Sequence, residues 1–336
     1  MKVSRDVALS SLTTMRVGGR VPLVFEITNE NDLTEAVATA RAQSLPVFVL
    51  GGGTNVLAGQ FHGAIILNRI RGIRGIGERI FRVGAGEVLD DVCAHFTEMG
   101  LSGMECMSGI LGTVGGAVVQ NSGAYGQDIS QVLLEIEAYD MEADRFVKIS
   151  NAEARLGYRS SIFKDVSERR YIITSVTVAL RSEFVGQDEL YFSLKNYLEK
   201  TSATNRSPST LRDAVLQLRA EKLPSIEECA TAGSFFKNPI LSGDAAANWR
   251  EKYPPESYSA MPDGQIKLFA GWLLDQCGLK GYESYGMQLY PKNALIAINK
   301  SANDLADIDK FTADVAAKVS SKFAVELERE PDTLTD

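Results

Sequence analysis

Histidine is almost missing from this 336-residue chain: only His62 and His95 occur. Metal catalysis built on imidazole is thereby nearly excluded, and proton transfer falls to Ser, Glu, Lys, Arg or Tyr. Cysteine is almost as scarce. Cys93, Cys106, Cys229 and Cys277 are scattered, with no C-x-x-C pair, which predicts reduced, mostly buried thiols and no zinc site. No apolar run approaches the roughly 20 residues that a membrane helix needs. Residues 1–10 hold no apolar core of signal-peptide length, so the expected location is the cytoplasm. Nor is there a surplus of positive charge. A net charge of -8 argues against general nucleic-acid binding, although local Lys and Arg can still serve a small anionic ligand. Internal repeats and low-complexity tracts are also lacking.

What remains is the composition of an ordinary soluble protein, 45% hydrophobic and 23% charged, long enough for two or three domains. Leu33, Ala36, Val37 and Ala40 predict a helix capped by Asn31 or Asp32 and ended by Pro46. Strands are predicted at Val47–Leu50, Ile65–Leu67, Ile80–Val83 and Ile172–Leu180. A further helix carries Leu89, Val92, Cys93 and Phe96 and stops at Gly100. Between about Ser182 and Thr231 the pattern turns polar and helical, and a domain boundary is placed there. Beyond it, a helix is expected over Ile266–Cys277, presenting Phe269, Trp272 and Leu273. A strand is expected at Ala294–Ile298, and a last helix is lined by Ile308, Phe311, Val315 and Val319.

Glycine, by contrast, is plentiful and clustered. Gly51-Gly52-Gly53-Thr54-Asn55 follows the strand Val47–Leu50. Successive unshielded N–H groups there can face phosphate oxygens, with Thr54 and Asn55 adding donors. A tight strand-to-loop turn is the competing interpretation. No Gly-Lys-Ser/Thr follows, so this is not a P-loop. Gly84-Ala85-Gly86 imitates a Rossmann fingerprint, but Leu89 stands where the third glycine belongs; it is read as a strand ending in a small-residue turn. A third cluster includes Gly109, Gly112, Thr113, Gly115 and Gly116, followed by Gln120, Asn121, Gly123, Ala124 and Gly126. Its main chain could lie flat against a large planar ligand, or simply start a closely packed helix. Two such loops, each preceded by a strand, favour a large dinucleotide. Arg69, Arg71 and Arg74 are read as a solvated basic surface.

The segment Ala232-Gly233-Ser234-Phe235-Phe236-Lys237-Asn238-Pro239 places a hydroxyl, an ammonium and a carboxamide within five residues, on a tight strand or turn. Alone it could be a structural turn around a buried aromatic pair. Two distant segments accompany it: Tyr158-Arg159-Ser160-Ser161-Ile162-Phe163-Lys164 and Glu328-Arg329-Glu330.

Taken together, residues from about Thr13 to Glu330 resemble the UDP-N-acetylenolpyruvoylglucosamine reductase family. The resemblance rests on the segment 50–57, the 109–117 and 121–126 loops, and the segments 157–164, 233–239 and 270–275. It implies an α+β chain: a two-lobed FAD-binding domain of the p-cresol methylhydroxylase-like type, over 1–65 and 66–215, then a C-terminal α+β substrate-binding domain over 216–336. It further implies noncovalent FAD, NADPH as reductant, a monomer, and UDP-N-acetylglucosamine enolpyruvate as the substrate reduced to UDP-N-acetylmuramate. FAD contacts are expected from Gly51, Gly52, Gly53, Thr54, Asn55, Gly112, Thr113, Gly116, Asn121, Gly123 and Ala124. His62 and His95 lie outside these loops and no Cys has a tethering motif, in keeping with unattached flavin.

By the same resemblance, Arg159 and Glu330 would polarise the enolpyruvyl carboxylate and Ser234 would donate the proton. Tyr191 would clamp the nucleotide, as in the longer, type I branch. Lys237, Asn238, Lys267 and Lys280 match positions near substrate or NADPH. The chain departs from the family pattern at Leu111, where Pro is usual, and after Glu330, where Pro331-Asp332 replaces the usual ending. Tyr285-Gly286-Met287 replaces a segment richer in Gly and Ala. Glu328 is the competing carboxyl. On bare sequence grounds, Arg159 could instead pair with a neighbour such as Asp165. Other oxidoreductases of the same fold and noncatalytic nucleotide-binding proteins are the rival assignments.

Overall fold

The computed structural model describes residues 1–165, 169–182, 192–200, 207–261 and 263–336. They cluster into two compact units. The first comprises Met1–Val7, Val21–Gly53 and His62–Glu221; the second comprises Ala8–Arg20, Thr54–Phe61 and Lys222–Asp336.

The first unit holds a four-stranded sheet, a five-stranded sheet and a two-stranded one at Gly123–Ala124 and Gln127–Asp128. In the four-stranded sheet the order is Lys2–Ala8, Arg20–Ile27, Ala64–Asn68, Val47–Leu50. Ala64–Asn68 pairs in parallel with both neighbours. Its run Ala-Ile-Ile-Leu is buried throughout, as a central parallel strand requires. Helix Glu30–Ala42 packs Leu33, Ala36, Val37 and Ala40 against Leu23, Phe25 and Ile27. Its cap is Asn29 rather than Asn31 or Asp32. The Asn29 side chain accepts from the Asp32 N–H, which makes Asp32 a first-turn residue. The expected lobe boundary at 65/66 falls inside strand Ala64–Asn68, whose pairing is continuous.

The five-stranded sheet is antiparallel, in the order Arg145–Ser150, Leu133–Asp140, Tyr171–Ala179, Ile80–Gly84, Ile73–Gly77. Helices Leu89–Glu98 and Val114–Gln120 bury Leu89, Val92, Phe96, Val114 and Val118 in its core. The Gly84-Ala85-Gly86 turn is structural: a Cβ on Gly84 would lie 2.4 Å from the Ile70 carbonyl, and one on Gly86 2.6 Å from the Arg69 backbone. A pair of helices, Phe192–Lys200 and Pro208–Lys222, completes the unit. Leu194, Leu198, Leu211, Ala214, Val215 and Leu218 pack together with Cys106 and against Tyr125.

In the second unit the strand order is Ala230–Ser234, Asn293–Asn299, Met287–Tyr290, Glu283–Ser284, antiparallel throughout. Helix Leu305–Phe323 lays Ile308, Phe311, Val315 and Val319 into its core, as their spacing predicts. The expected helix over 266–277 is shorter. Ile266–Leu268 is instead the middle strand of a three-stranded sheet, with Ile266 and Leu268 buried, and the helix runs only Ala270–Gln276. Strand Val56–Ala58 pairs in parallel with Asp332–Leu334. Among the described residues no helix is long and apolar enough to cross a membrane. Two of the four thiols, Cys93 and Cys106, are buried, while Cys229 and Cys277 are partly exposed.

Candidate active site

In the first unit the glycine loops meet side by side. A Cβ on Gly51 would lie 2.1 Å from the Thr113 hydroxyl, so only glycine lets the two loops touch. Arg69 Nη1 donates to the Gly51 carbonyl at 2.7 Å. Arg69 is thus a strut of the loop, not part of a solvated basic surface as its sequence neighbourhood predicts. Gly53 (φ 63) and Gly112 (φ 119) occupy conformations that side chains resist.

Thr113 caps helix Val114–Gln120, its hydroxyl accepting from the Gly116 N–H at 3.3 Å. The Gly115 amide is spent on the Ala85 carbonyl at 2.8 Å. Gly116 is exposed, and a Cβ there would meet nothing but Thr113 Oγ1, at 3.5 Å. The helix ends in Asn121 (φ 43), whose Nδ2 donates to the Gly157 carbonyl at 2.9 Å. Arg159 closes this end: Nη1 donates to Asn121 O at 3.3 Å and Nη2 to Gly123 O at 3.2 Å. Its guanidinium also lies 5.4 Å from the centre of the Tyr158 ring. Ala124 follows Gly123 in a two-residue strand paired with Gln127–Asp128. Bare main chain at Gly52, the positive-φ glycines Gly53 and Gly112 and the Thr113 hydroxyl are suited to an anionic dinucleotide, and FAD fits them.

The second unit carries Ser234 at the end of strand Ala230–Ser234, opposite Ile296, just after a register shift. That bulge has identifiable parts. Gly233 (φ 77) turns the chain, and its N–H donates to Thr231 Oγ1 at 3.2 Å. Thr231 Oγ1 in turn donates to Ala297 O at 2.7 Å. Phe235 and Phe236 are then driven into the core, edge to face with centroids 5.1 Å apart. This anchors Ser234 beside them, itself half-buried.

Residues 328–330 pair antiparallel with 235–237. Glu330 N–H donates to Phe235 O at 3.0 Å and Lys237 N–H to Glu328 O at 2.8 Å, with a bridge between Phe236 and Arg329. The two candidate carboxyls differ sharply. Glu328 is 74% exposed and its Oε1 accepts from Lys237 Nζ at 2.5 Å, whereas Glu330 is half-buried. Asn55 adds to the hold on Glu330. Its carbonyl accepts from Asp332 N–H at 3.0 Å and its Nδ2 reaches Glu330 O at 3.5 Å.

The other expected substrate residues have structural work as well. Asn238 Oδ1 accepts from the Ala270 N–H at 2.9 Å, at the start of helix Ala270–Gln276. Lys280 pairs with Asp275 at 2.7 Å on an exposed surface. Lys267 is half-buried on the central strand Ile266–Leu268. Tyr191 lies outside the described residues. Among the described residues no cluster of His, Cys, Asp and Glu could hold a metal ion.

Residues 21–148 match the family model of an FAD binding domain. Residues 224–334 match that of the UDP-N-acetylenolpyruvoylglucosamine reductase C-terminal domain. The UDP-N-acetylenolpyruvoylglucosamine reductase of Neisseria gonorrhoeae is 35% identical over 334 residues, covering 97% of this chain and 96% of that one. The chain belongs to this family. The reductase of Escherichia coli O157:H7 is likewise 35% identical, over 90% of this chain and 88% of its own. The crystal structure of the Thermus caldophilus reductase shares the fold, with a TM-score of 0.68 at 23% identity and 99% coverage of each chain. A two-domain reductase architecture, an FAD-binding domain followed by a substrate domain, is therefore in place. The chain is an FAD-dependent oxidoreductase.

Sequence reasoning missed four residues that hold the glycine loops: Arg69, Asp90, Arg212 and Arg219. Gly109 N–H donates to Asp90 Oδ1 at 2.7 Å, and Arg219 Nη2 donates to Gly109 O at 2.9 Å. Arg212 pairs with Asp90 through both carboxylate oxygens. Burial alone would raise the Asp90 pKa, but the Arg212 and Gly109 hydrogen bonds and nearby positive charge outweigh it, and the net shift is downward. For Asp90, Arg212 and Arg219 the available signal was a polar residue on an amphipathic helix.

Proposed function

We propose that this chain catalyses the reaction its family is named for: NADPH-dependent, FAD-mediated reduction of UDP-N-acetylglucosamine enolpyruvate to UDP-N-acetylmuramate, for peptidoglycan precursor synthesis. The observation that best supports this is the bond from Glu330 N–H to the carbonyl of Phe235, the residue that follows Ser234. Ser234 and Glu330 are both half-buried and lie within the segment that matches the family's C-terminal domain. NADPH as reductant, a cytoplasmic location and a monomeric state belong to the same proposal.

FAD, when bound, accepts hydride from NADPH and supplies it to the terminal carbon of the enolpyruvyl double bond. Negative charge then develops at the adjacent carbon and spreads into the substrate carboxylate. Arg159 is suited to hold that carboxylate, because its planar fork stays charged and binds in a bidentate way. Stabilising charge only as it forms raises turnover rather than merely tightening binding. Glu330 assists in its protonated form, since an ionised carboxylate would repel the developing charge. The Ser234 hydroxyl delivers its proton to the carbanion-like carbon, so hydride and proton together saturate the double bond.

Gly51, Gly52, Gly53, Thr54, Asn55, Gly112, Thr113, Gly116, Asn121, Gly123 and Ala124 line the FAD site. Tyr191, Lys237, Asn238, Lys267 and Lys280 serve the nucleotide portions of substrate or NADPH. Lys237 reaches that role only by exchanging Glu328 for a ligand anion, an inexpensive exchange because Glu328 is exposed.

The deciding experiment follows the flavin colour. The purified protein should be yellow, NADPH should bleach it, and the enolpyruvyl sugar should restore the absorbance. Steady NADPH consumption that ignores the enolpyruvyl sugar would overturn the assignment in favour of an oxidase of the same fold.

A further inference from the structure

We propose that Asp90, Arg212 and Arg219 are positioning residues for the cofactor loop. Together they hold both main-chain polar groups of Gly109, its N–H and its carbonyl, and dock the helical pair 192–222 onto the same loop. The inference rests on the FAD-binding interpretation of the Gly109–Gly116 region.

Gly109 sits at φ 73, at the entrance to the run leading to Gly112, Thr113 and Gly116. Its N–H is taken by Asp90 Oδ1 at 2.7 Å, from helix Leu89–Glu98. Its carbonyl is taken by Arg219 Nη2 at 2.9 Å, from helix Pro208–Lys222. The space a side chain would need is filled, because a Cβ on Gly109 would lie 3.0 Å from Arg219 Nε and 3.1 Å from Leu216 Cδ2. Arg212 then joins the two holding groups. Nη2 donates to Asp90 Oδ2 at 3.1 Å while Nη1 takes Oδ1, the oxygen that also accepts from Gly109. The Arg212 side chain is only 16% exposed.

Arg212 and Arg219 are seven residues apart, so both lie along one face of their helix. The adjoining stripe of Leu211, Ala214, Val215 and Leu218 packs with Cys106 and against Tyr125, which lie just before and after the loop. The loop conformation and the seating of the helical pair therefore share one set of contacts. Tyr191, the expected nucleotide clamp, immediately precedes that pair in sequence. Whatever stabilises the loop stabilises the pair, and the reverse holds by linkage.

The test uses the full chain, stripped of FAD and titrated with it, in wild-type form and as Asp90→Asn, Arg212→Gln, Arg219→Lys and Arg219→Ala. FAD affinity is read by flavin fluorescence, and hydrogen exchange is followed in peptides covering 105–116 and 208–222. Losing one half-buried charged partner predicts about tenfold weaker FAD binding, the effect of ~1.4 kcal/mol. In wild type, FAD slows exchange in both peptides. In Asp90→Asn and Arg219→Ala that joint protection is lost, and Arg219→Lys restores part of it. A merely structural network would lower the melting temperature of the stripped protein while leaving FAD affinity and FAD-induced protection as in wild type, which overturns the proposal. So does an effect confined to Arg219 variants, because that would mark direct cofactor contact. A wild-type chain that binds no FAD would instead remove the flavin interpretation on which the proposal stands.

Discussion

The main-chain N–H of Glu330 donates to the carbonyl of Phe235 at 3.0 Å, which ties the segment that carries Glu330 to the residue that follows Ser234. Glu328, on the same segment, spends its carboxylate on Lys237 in solvent. The two glutamates are therefore separable by experiment. Glu330→Gln and Ser234→Ala should each slow reoxidation by the enolpyruvyl sugar by about 10²–10⁴-fold, the usual loss for a positioned proton-transfer group. Flavin reduction by NADPH should stay near wild type in both. Glu328→Gln should change reoxidation less than about threefold, since exposed pairs contribute little. Stopped-flow absorbance separates the half-reactions, and equal losses in both for Ser234→Ala would remove its role as proton donor.

Gly51 offers a test of the cradle through a pair of substitutions. The Thr113 hydroxyl occupies the place of a Cβ on Gly51, so Gly51→Ala should cost about 1–3 kcal/mol and weaken FAD binding. Thr113→Ala should cost about 1 kcal/mol through loss of the helix cap. Because the second change removes the atom that the first collides with, the double variant should be more stable than the sum of the two singles. Chemical denaturation of all four forms measures the coupling; strict additivity would mean the loops do not touch.

Asp32 gives a pH signature in the first unit. Its Oδ2 accepts from the Thr28 N–H and hydroxyl, each at 2.9 Å, and the backbone bond foremost lowers its pKa to about 2. A carboxyl whose folded pKa is depressed contributes stability above its unfolded value, about 3.9, and loses it as pH falls through the folded value. Asp32→Asn should therefore be less stable than wild type at pH 6. The gap should close between about pH 4 and pH 2. Thermal melts across that range check it, and a gap that persists at pH 2 would contradict the assignment.

The local parts of this architecture were legible in the sequence. Ile308, Phe311, Val315 and Val319 define helix Leu305–Phe323 by spacing alone, and Ile65–Leu67 reads as a strand because nothing polar interrupts it. The helix expected from Ile266 failed for an equally local reason. Alternating Ile266 and Leu268 run directly into the helical stripe of Leu273 and Leu274, and only sheet pairing on both sides separates them. Motif residues were found where glycine or proline marked the backbone. The groups that hold those motifs were not, because their partners are remote: Arg69 is 18 residues from Gly51 and Arg219 is 110 from Gly109. Asn238 illustrates a further limit, since a residue type suited to a ligand is equally suited to supporting the Ala270 amide.

The parallel pair formed by Val56–Ala58 and Asp332–Leu334 leads to a last prediction, because it fastens the chain just beyond Glu330. Leu334 is 1% exposed, and its carbonyl accepts from Gly59 N–H at 2.9 Å. On the other side, Asp332 N–H is held by Asn55 O at 3.0 Å. Leu334→Ala should destabilise the protein by about 2–5 kcal/mol, the cost of emptying a buried leucine site. A loosened strand lets Glu330 drift, and a displacement of about 1 Å at a reacting group can cost 10²-fold. At a temperature where the variant remains folded, substrate-dependent reoxidation should thus fall well below wild type. Reduction by NADPH should fall less, because most of the expected FAD-lining residues, Gly51–Gly53 and those from Gly112 to Ala124, lie in the other unit. If both half-reactions are retained in a folded but destabilised Leu334→Ala variant, the terminal strand contributes stability alone and Glu330 is held by its bond to Phe235.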